Sequence, residues 1–504
     1  MSGHITIYND LYHIRVTNIN TKVVSYFLKH NLVIQKDNDS SFFLKNDSYI
    51  KYFKYSDILS PSSNDITHLI QTIVDYMMVN EIANTIISVN EMEKADIVFD
   101  VSVHSGKNEH LICEKTDNDA SSQFNNNAVI MELGNITTGT NSITRQSKEY
   151  ANIPSGRINI SLVSGTLAKN ITADNVGTEE NDGVVSKIGI FDDDNGVYVQ
   201  YEATINASFE LEETYSICKK MSGQPVEKVV QANWNVDKCN GLGPSQIVIS
   251  KEDMNTFIFR LGTLPKTFLQ IGIMHEGSAI LIHEFNTSDF FTKLPIRWFL
   301  SHNNNAGITS AIQMIQNNSV VLSNEKHYIQ KVSHSAICPP NSYKKIDSDF
   351  TQDVVFDIKL NPTYIRSKIK IEKINIINTQ SNGIVLWKLL KNADLLDNAL
   401  NTTSSSTYTT NSIVDLLSLD TTQSHDGSSF ELTNYKIIDP SNQGTLISSG
   451  YIVNNTLTEI DLSKNDNNVL YADIDGVSDN LTLVVEYVNA PAEIQATIVW
   501  CEYE

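Results

Sequence analysis

The sequence predicts a mainly β chain of several domains, with β-sandwiches behind a small amino-terminal α+β domain. Three observations point there. At 504 residues the chain has room for three domains or four. Its 41% hydrophobic and 8% aromatic residues suffice for packed cores, and 19% charged residues are too few for a disordered chain. Beyond residue 150, apolar or alternating runs recur at roughly the 8–12-residue spacing of sandwich strands, and no convincing amphipathic helix interrupts them.

Taken in order, residues 1–118 read as the α+β domain, a docking unit. Strand-sized runs come first at Ile5–Tyr8, His13–Thr17, Val23–Leu28, Ser41–Leu44 and Tyr49–Tyr55. A helix follows: Ser62, Ser63 and Asn64 offer caps, and Ile66, Leu69, Ile70, Ile73, Val74 and Met77 recur with helical spacing. A helical turn at Glu81–Ile87 and a strand at Ala95–Val103 close the unit. Residues 119–149 are polar, with Asn125-Asn126-Asn127 at their centre, and read as an exposed connection broken by one strand, Ala128–Leu133.

Residues 150–340 predict the central sandwich. Val185–Phe191 and Val197–Tyr201 flank a hairpin tip, Asp192-Asp193-Asp194-Asn195-Gly196. Strands follow at Ser208–Tyr215, Glu227–Asn235, Gln246–Ser250, Thr256–Arg260, Thr267–Met274, Ala279–Phe285 and Leu294–Leu300, with an edge at Ser310–Gln316 and Ser319–Leu322. Residues 341–504 predict a second sandwich from Asp353–Leu360, Ser367–Asn378, Ile384–Leu389, Asn434–Ile438, Thr445–Val453, Val469–Asp473, Thr482–Val488 and Ile494–Cys501.

Composition excludes several classes. A net charge of −22 repels phosphate backbones and argues against nucleic acid as a partner. No window reaches the ~18 consecutive apolar residues of a membrane span, and the first residues lack the pattern of a secretory signal. Cys113, Cys218, Cys239, Cys338 and Cys501 are scattered without CxxC spacing, which fits reduced thiols in a protein made in a cytosol and argues against a zinc site. Cys218 and Cys239 form the only moderately close pair.

Four constellations invite chemistry. His275-Glu276 and His283-Glu284 suggest a metal, yet a two-residue turn at Glu276-Gly277 sets the imidazoles five residues apart along the hairpin, about 17 Å. The three aspartates of the tip could hold calcium but lack the EF-hand spacing. Glycoside hydrolysis needs two facing carboxylates, for which Glu210, Glu212, Glu213, Glu276 and Glu284 are candidates. Trp234, Trp298, Trp387 and Trp500 fall in expected strands, where core packing competes with a sugar-stacking role. His104 and His334 read as isolated polar residues, and Gly241-Leu242-Gly243-Pro244 as a turn. The chain shows no GxSxG, P-loop or dinucleotide fingerprint, and the reading assigns no catalytic, cofactor or metal residues.

One resemblance adds to this. Trp234-Asn235-Val236-Asp237-Lys238 through Gly241-Leu242-Gly243-Pro244-Ser245, then Phe257–Arg260, Ile271–Ile273, Ile282–Asn286 and Leu294–Trp298, resemble a module of virion proteins of large double-stranded DNA viruses and some tailed phages. Asp473–Asp479 and Ala496–Trp500 resemble the end of the same proteins. The resemblance implies jelly-roll- or concanavalin-like sandwiches in a capsid-associated, fibre or vertex component that is not an enzyme. Its partners would be itself, as a homotrimer, and other capsid proteins, in a virion assembled in the host cytoplasm. The alternatives are a lectin-like module that binds a host surface glycan through aromatic and Asn/Asp loop groups, and a glycoside-cleaving depolymerase.

Overall fold

The computed structural model describes the backbone of residues 3–9, 12–19, 33–38, 41–46 and 49–54. It also describes residues 95–504 apart from several segments, chief among them 177–182, 263–267, 286–290, 305–310, 324–330, 339–342, 398–406 and 418–435. The chain divides into two compact units, one of residues 1–88 with 279–281 and one of the remainder.

In the first unit, five strands form one sheet in the order Tyr12–Ile19, Gly3–Asn9, Val33–Asn38, Ser41–Asn46, Tyr49–Lys54. Its pairs are antiparallel except Gly3–Asn9 with Val33–Asn38. The expected strand Val23–Leu28, the helix over 62–77 and the turn at 81–87 lie outside the described residues.

The second unit holds two sandwiches, so the chain is mainly β as expected. The central one packs a seven-stranded sheet on a nine-stranded sheet. The first runs Glu227–Val230, Leu211–Lys220, Gly196–Ile205, Gly183–Phe191, Lys293–Asn304, Gly139–Asn152, Ile112–Asp117. The second runs Ser278–Phe285, Phe268–His275, Asn255–Gly262, Ile158–Gly165, Ile312–Gln316, Ala128–Leu133, Ala120–Asn125. Ser319–Ser323 also pairs with Ile158–Gly165 and carries Asp96–Val101 on its other side. Between the sheets lie Trp298, Tyr201, Phe257, Phe259 and Met131, all fully buried. The Trp298 indole N–H donates to the Ser164 carbonyl at 3.1 Å and ties one sheet to the other.

The carboxy-terminal sandwich stacks Lys331–Cys338, Ala492–Tyr503, Lys368–Asn378 and Leu457–Asp461 against Val414–Leu417, Gln352–Leu360, Asn480–Tyr487, Val385–Lys391 and Thr445–Ile452. Its core is aliphatic, with Trp387 and Trp500 among Ile, Leu and Val. Alternation produced this directly: Ala492–Tyr503 buries every second residue over most of its length.

Several expectations change. Residues 119–149 are not an exposed connection. Ala120–Asn125 and Ala128–Leu133 form a hairpin, and Gly139–Asn152 is an interior strand of the seven-stranded sheet. Asp96–Val101 joins the central sandwich instead of the amino-terminal unit, and Ser319–Ser323 lies between two neighbours instead of at an edge. Lys331–Cys338 pairs with Ala492–Tyr503 and so belongs to the carboxy-terminal sandwich. Gln246–Ser250 makes only a bridge between Asn240 and Val248, and Trp234 follows a short 3-10 turn instead of lying in a strand. Among the described residues no helix is long and apolar enough to cross a membrane.

Candidate functional site

The residues singled out by sequence are held in separate places. His275 lies exposed at the end of its strand, next to a turn whose Glu276 takes a left-handed φ of 48°. His283 is buried on the following strand; its Nδ1 accepts the Asn235 backbone N–H at 3.3 Å and its ring meets Phe285 edge-on at 4.6 Å. Burial pushes its pKa down to about 4, so the ring is neutral.

The acidic tip forms as expected, with Asp192 accepting the backbone N–H groups of Asp194 and Asn195. Its carboxylates already have cations: Arg297 lies 2.5 Å from Asp193, and Arg366 lies 2.8 Å from Asp192 and 3.1 Å from Asp194. Among the described residues no group of three His, Cys, Asp or Glu is placed to hold a metal ion.

Of the five candidate glutamates, Glu212 and Glu213 lie on one sheet and Glu284 on the other, while Glu210 and Glu276 lie outside the strands. Glu213 accepts from the Tyr201 hydroxyl at 2.6 Å and from Lys251. Burial raises its pKa, but these two donors outweigh it and hold the carboxyl below its usual range. Glu284, on the other sheet, accepts from Gln270 at 3.1 Å. All four tryptophans are buried, so none offers a stacking face. The five cysteines are buried and none forms a disulfide, Cys218 and Cys239 included. His334 is not isolated: it stacks on Trp500 at 5.6 Å and lies 3.2 Å from Glu502. The Gly241–Pro244 loop is a turn around the buried Asp237 carboxylate, which accepts from Cys239 and Ser245 N–H. A Cβ at Gly243 would overlap that carboxylate, which is why glycine stands there.

Two hollows remain. The first lies on the central sandwich and has a volume of about 430 Å³. Asn126 and Asn127 take left-handed φ values of 49° and 58° and turn the Ala120–Asn125/Ala128–Leu133 hairpin, a geometry Asn tolerates better than most residues. Facing it is the turn at Asn317 and Asn318. That turn is anchored by Asn317 N–H to the Ser164 carbonyl at 3.1 Å and by Asn318 Oδ1, which accepts Val103 N–H at 2.8 Å. Ile130 and Ile315 stand opposite each other in register, and with the half-exposed Met254 they give the hollow an apolar lining.

The second hollow separates the two sandwiches and has a volume of about 410 Å³. Lys368 and Tyr471 from the carboxy-terminal sandwich both reach Glu149 of the central one, the tyrosine hydroxyl at 3.5 Å. Alongside, Asp479 lies between Lys148 at 3.5 Å and Lys391 at 3.2 Å. Burial raises the Asp479 pKa, and the two lysines more than offset it, leaving the carboxylate below its usual range.

Neither hollow was read as a site from sequence. The Asn125–Asn127 run was visible, but the partner turn is nearly two hundred positions away and its approach depends on strand pairing. The inter-sandwich cleft depends on domain packing, which no local pattern encodes.

No protein-family model matches the chain, and no curated protein matches it. Among solved structures the chain is similar to a legume lectin-like domain from Entamoeba histolytica, at 13% identity, covering 44% of this chain and 95% of that one with a TM-score of 0.26. It is also similar to an endo-β-1,4-glucuronan lyase from the fungus Trichoderma reesei, at 8% identity over 46% and 100% of the chains with a TM-score of 0.28. A third is the exoplasmic/lumenal domain of VIP36 in a Ca2+/Man3GlcNAc-bound form, at 7% identity over 45% and 89% with a TM-score of 0.25. At these values the likenesses carry no argument about ligand or reaction.

Proposed function

We propose that the chain is a non-catalytic carbohydrate-recognition protein whose site is the asparagine-lined hollow of the central sandwich. The observation that carries the reading is five asparagines, at 125–127 and 317–318, around the apolar side chains of Ile130, Ile315 and Met254. A sugar presents hydroxyls that both donate and accept, beside patches of C–H. A carboxamide offers two donors and an acceptor without charge, and an apolar floor meets the C–H face. The volume falls in the usual range of roughly 300–1,000 Å³ for small-ligand sites. The virion setting belongs to this proposal as the surface where such recognition acts, and it rests on the sequence resemblance alone.

The test exploits the turn. Asn126→Gly with Asn127→Gly keeps a backbone that favours left-handed φ while removing both amides. On a glycan array and by calorimetry, the full chain is expected to bind a neutral oligosaccharide. The double variant should lose about ten-fold or more in affinity, roughly 1.4 kcal/mol, at unchanged Tm. Failure of the parent chain to bind any glycan sinks the reading, as does equal affinity of parent and variant.

A further inference from the structure

We propose that the cleft between the sandwiches is a second binding site, which takes an acidic saccharide and holds its carboxylate on Lys368. The charge distribution is the first ground. In a chain of net charge −22, this cleft is lined by Lys368 and Lys370 against Glu149 and Asp100, and a small hollow that adjoins it at Glu149, Lys368, Tyr471 and Tyr503 adds Lys148, Lys293 and Arg366 with no further acid. Cations gathered in a recess of an otherwise acidic molecule draw an anion towards that recess.

The second ground is what Lys368 holds now. Its ammonium pairs with Glu149 from across the cleft, and the Tyr471 hydroxyl lies 3.5 Å from the other oxygen of the same carboxylate. A carboxylate with an ammonium on one oxygen and a hydroxyl by the other is the pattern an acidic sugar would reproduce. Glu149 therefore marks the position, as an internal stand-in for the ligand group. The Lys368 ammonium also lies 5.5 Å from the Tyr503 ring, which fixes its direction from the carboxy-terminal side.

The third ground is size. A bare anion fills a small part of about 410 Å³. The remaining wall carries Phe99, Val469 and the two tyrosines, an apolar and aromatic surface suited to the body of a sugar ring. The site differs from the asparagine hollow in both location and ligand charge.

The experiment titrates the full chain with a galacturonate trisaccharide, a neutral galactose trisaccharide and inorganic sulfate. The acidic trisaccharide should bind with an affinity that falls as salt rises. Glu149→Gln, which removes the competing carboxylate, should tighten it, and Lys368→Gln should weaken it about ten-fold while Lys368→Arg retains it. Neither Glu149→Gln nor Lys368→Gln should alter the response to the neutral trisaccharide. Acidic binding that is absent, or unchanged by Lys368→Gln, overturns the proposal, and so does sulfate binding as tightly as the trisaccharide. If Lys368→Gln does not fold, Glu149→Gln decides: tightening supports the site and unchanged or weaker binding refutes it.

Discussion

His283 shows how burial converts a candidate ligand into a structural group. Its ring is wedged against Phe285 and fixed by the Asn235 N–H, and its pKa falls to about 4. In the unfolded chain the same ring titrates near its ordinary value of about 6.5. The unfolded state therefore takes up a proton first as pH falls, and stability is lost between about pH 6.5 and 4. At about 1.36 kcal/mol per unit the upper bound on that loss is about 3 kcal/mol, and local opening would reduce it. Thermal melts of the parent should show Tm falling across this window. His283→Leu should flatten that part of the profile, and an unflattened profile would contradict the assignment. The hairpin register expected from the sequence sets His275 and His283 five residues apart, and the structure leaves the first exposed and the second buried. Nothing in the sequence signals that His334 packs on Trp500 and pairs with Glu502, since that contact joins strands far apart in the chain.

At the scale of elements, Gly139–Asn152 is the most instructive miss. Its sequence, GTNSITRQSKEYAN, has almost no apolar alternation, so polarity pointed to a connection. Yet Asn141 through Ser147 are all buried, because the strand lies between Lys293–Asn304 and Ile112–Asp117 and several of its polar side chains find partners on other strands. Gln146 accepts from Arg297 at 2.6 Å, Ser142 donates to Asp117 at 2.6 Å, and Ser147 Oγ accepts Ile296 N–H at 2.9 Å. At the centre, Arg145 is 1% exposed. It donates to Gln316 on the opposite sheet at 2.6 Å, to the Lys107 carbonyl at 2.6 Å and to Glu114. Truncating one member of such a network strands the others. Arg145→Leu should cost about 3 kcal/mol or more, and Arg145→Lys a large part of that, because an ammonium cannot replace the fork. Denaturant melts measure both, and a loss under about 1 kcal/mol for Arg145→Leu would show the network to be solvated. The apolar strands, by contrast, were legible: Ala128–Leu133, Gln352–Leu360 and Ala492–Tyr503 lie at or within a few residues of their expected bounds because each buries alternate or continuous apolar side chains.

Across the two sandwiches, each has its own closed core, and a set of salt bridges joins them. Lys115 meets Asp475, Lys148 meets Asp479, Arg366 meets Asp192 and Asp194, and Lys368 meets Glu149. This gives the acidic hairpin tip a role that neither a calcium site nor a solvated turn anticipated: it receives an arginine from the neighbouring domain. The exposed members, such as Lys115 with Asp475, contribute at most about 1 kcal/mol each, so the join is strong only as a set, and salt weakens those members most. At about 1 M NaCl the screening length falls to about 3 Å, and the set weakens together while the apolar cores do not. Calorimetry should therefore show the two sandwiches unfolding as one coupled transition in dilute buffer and as separate transitions at high salt. Arg366→Ala combined with Asp475→Asn should produce the same separation in dilute buffer, since it removes an arginine that serves two carboxylates and an independent bridge. A transition that stays single in both tests would mean that apolar surface, and not this ionic set, couples the domains.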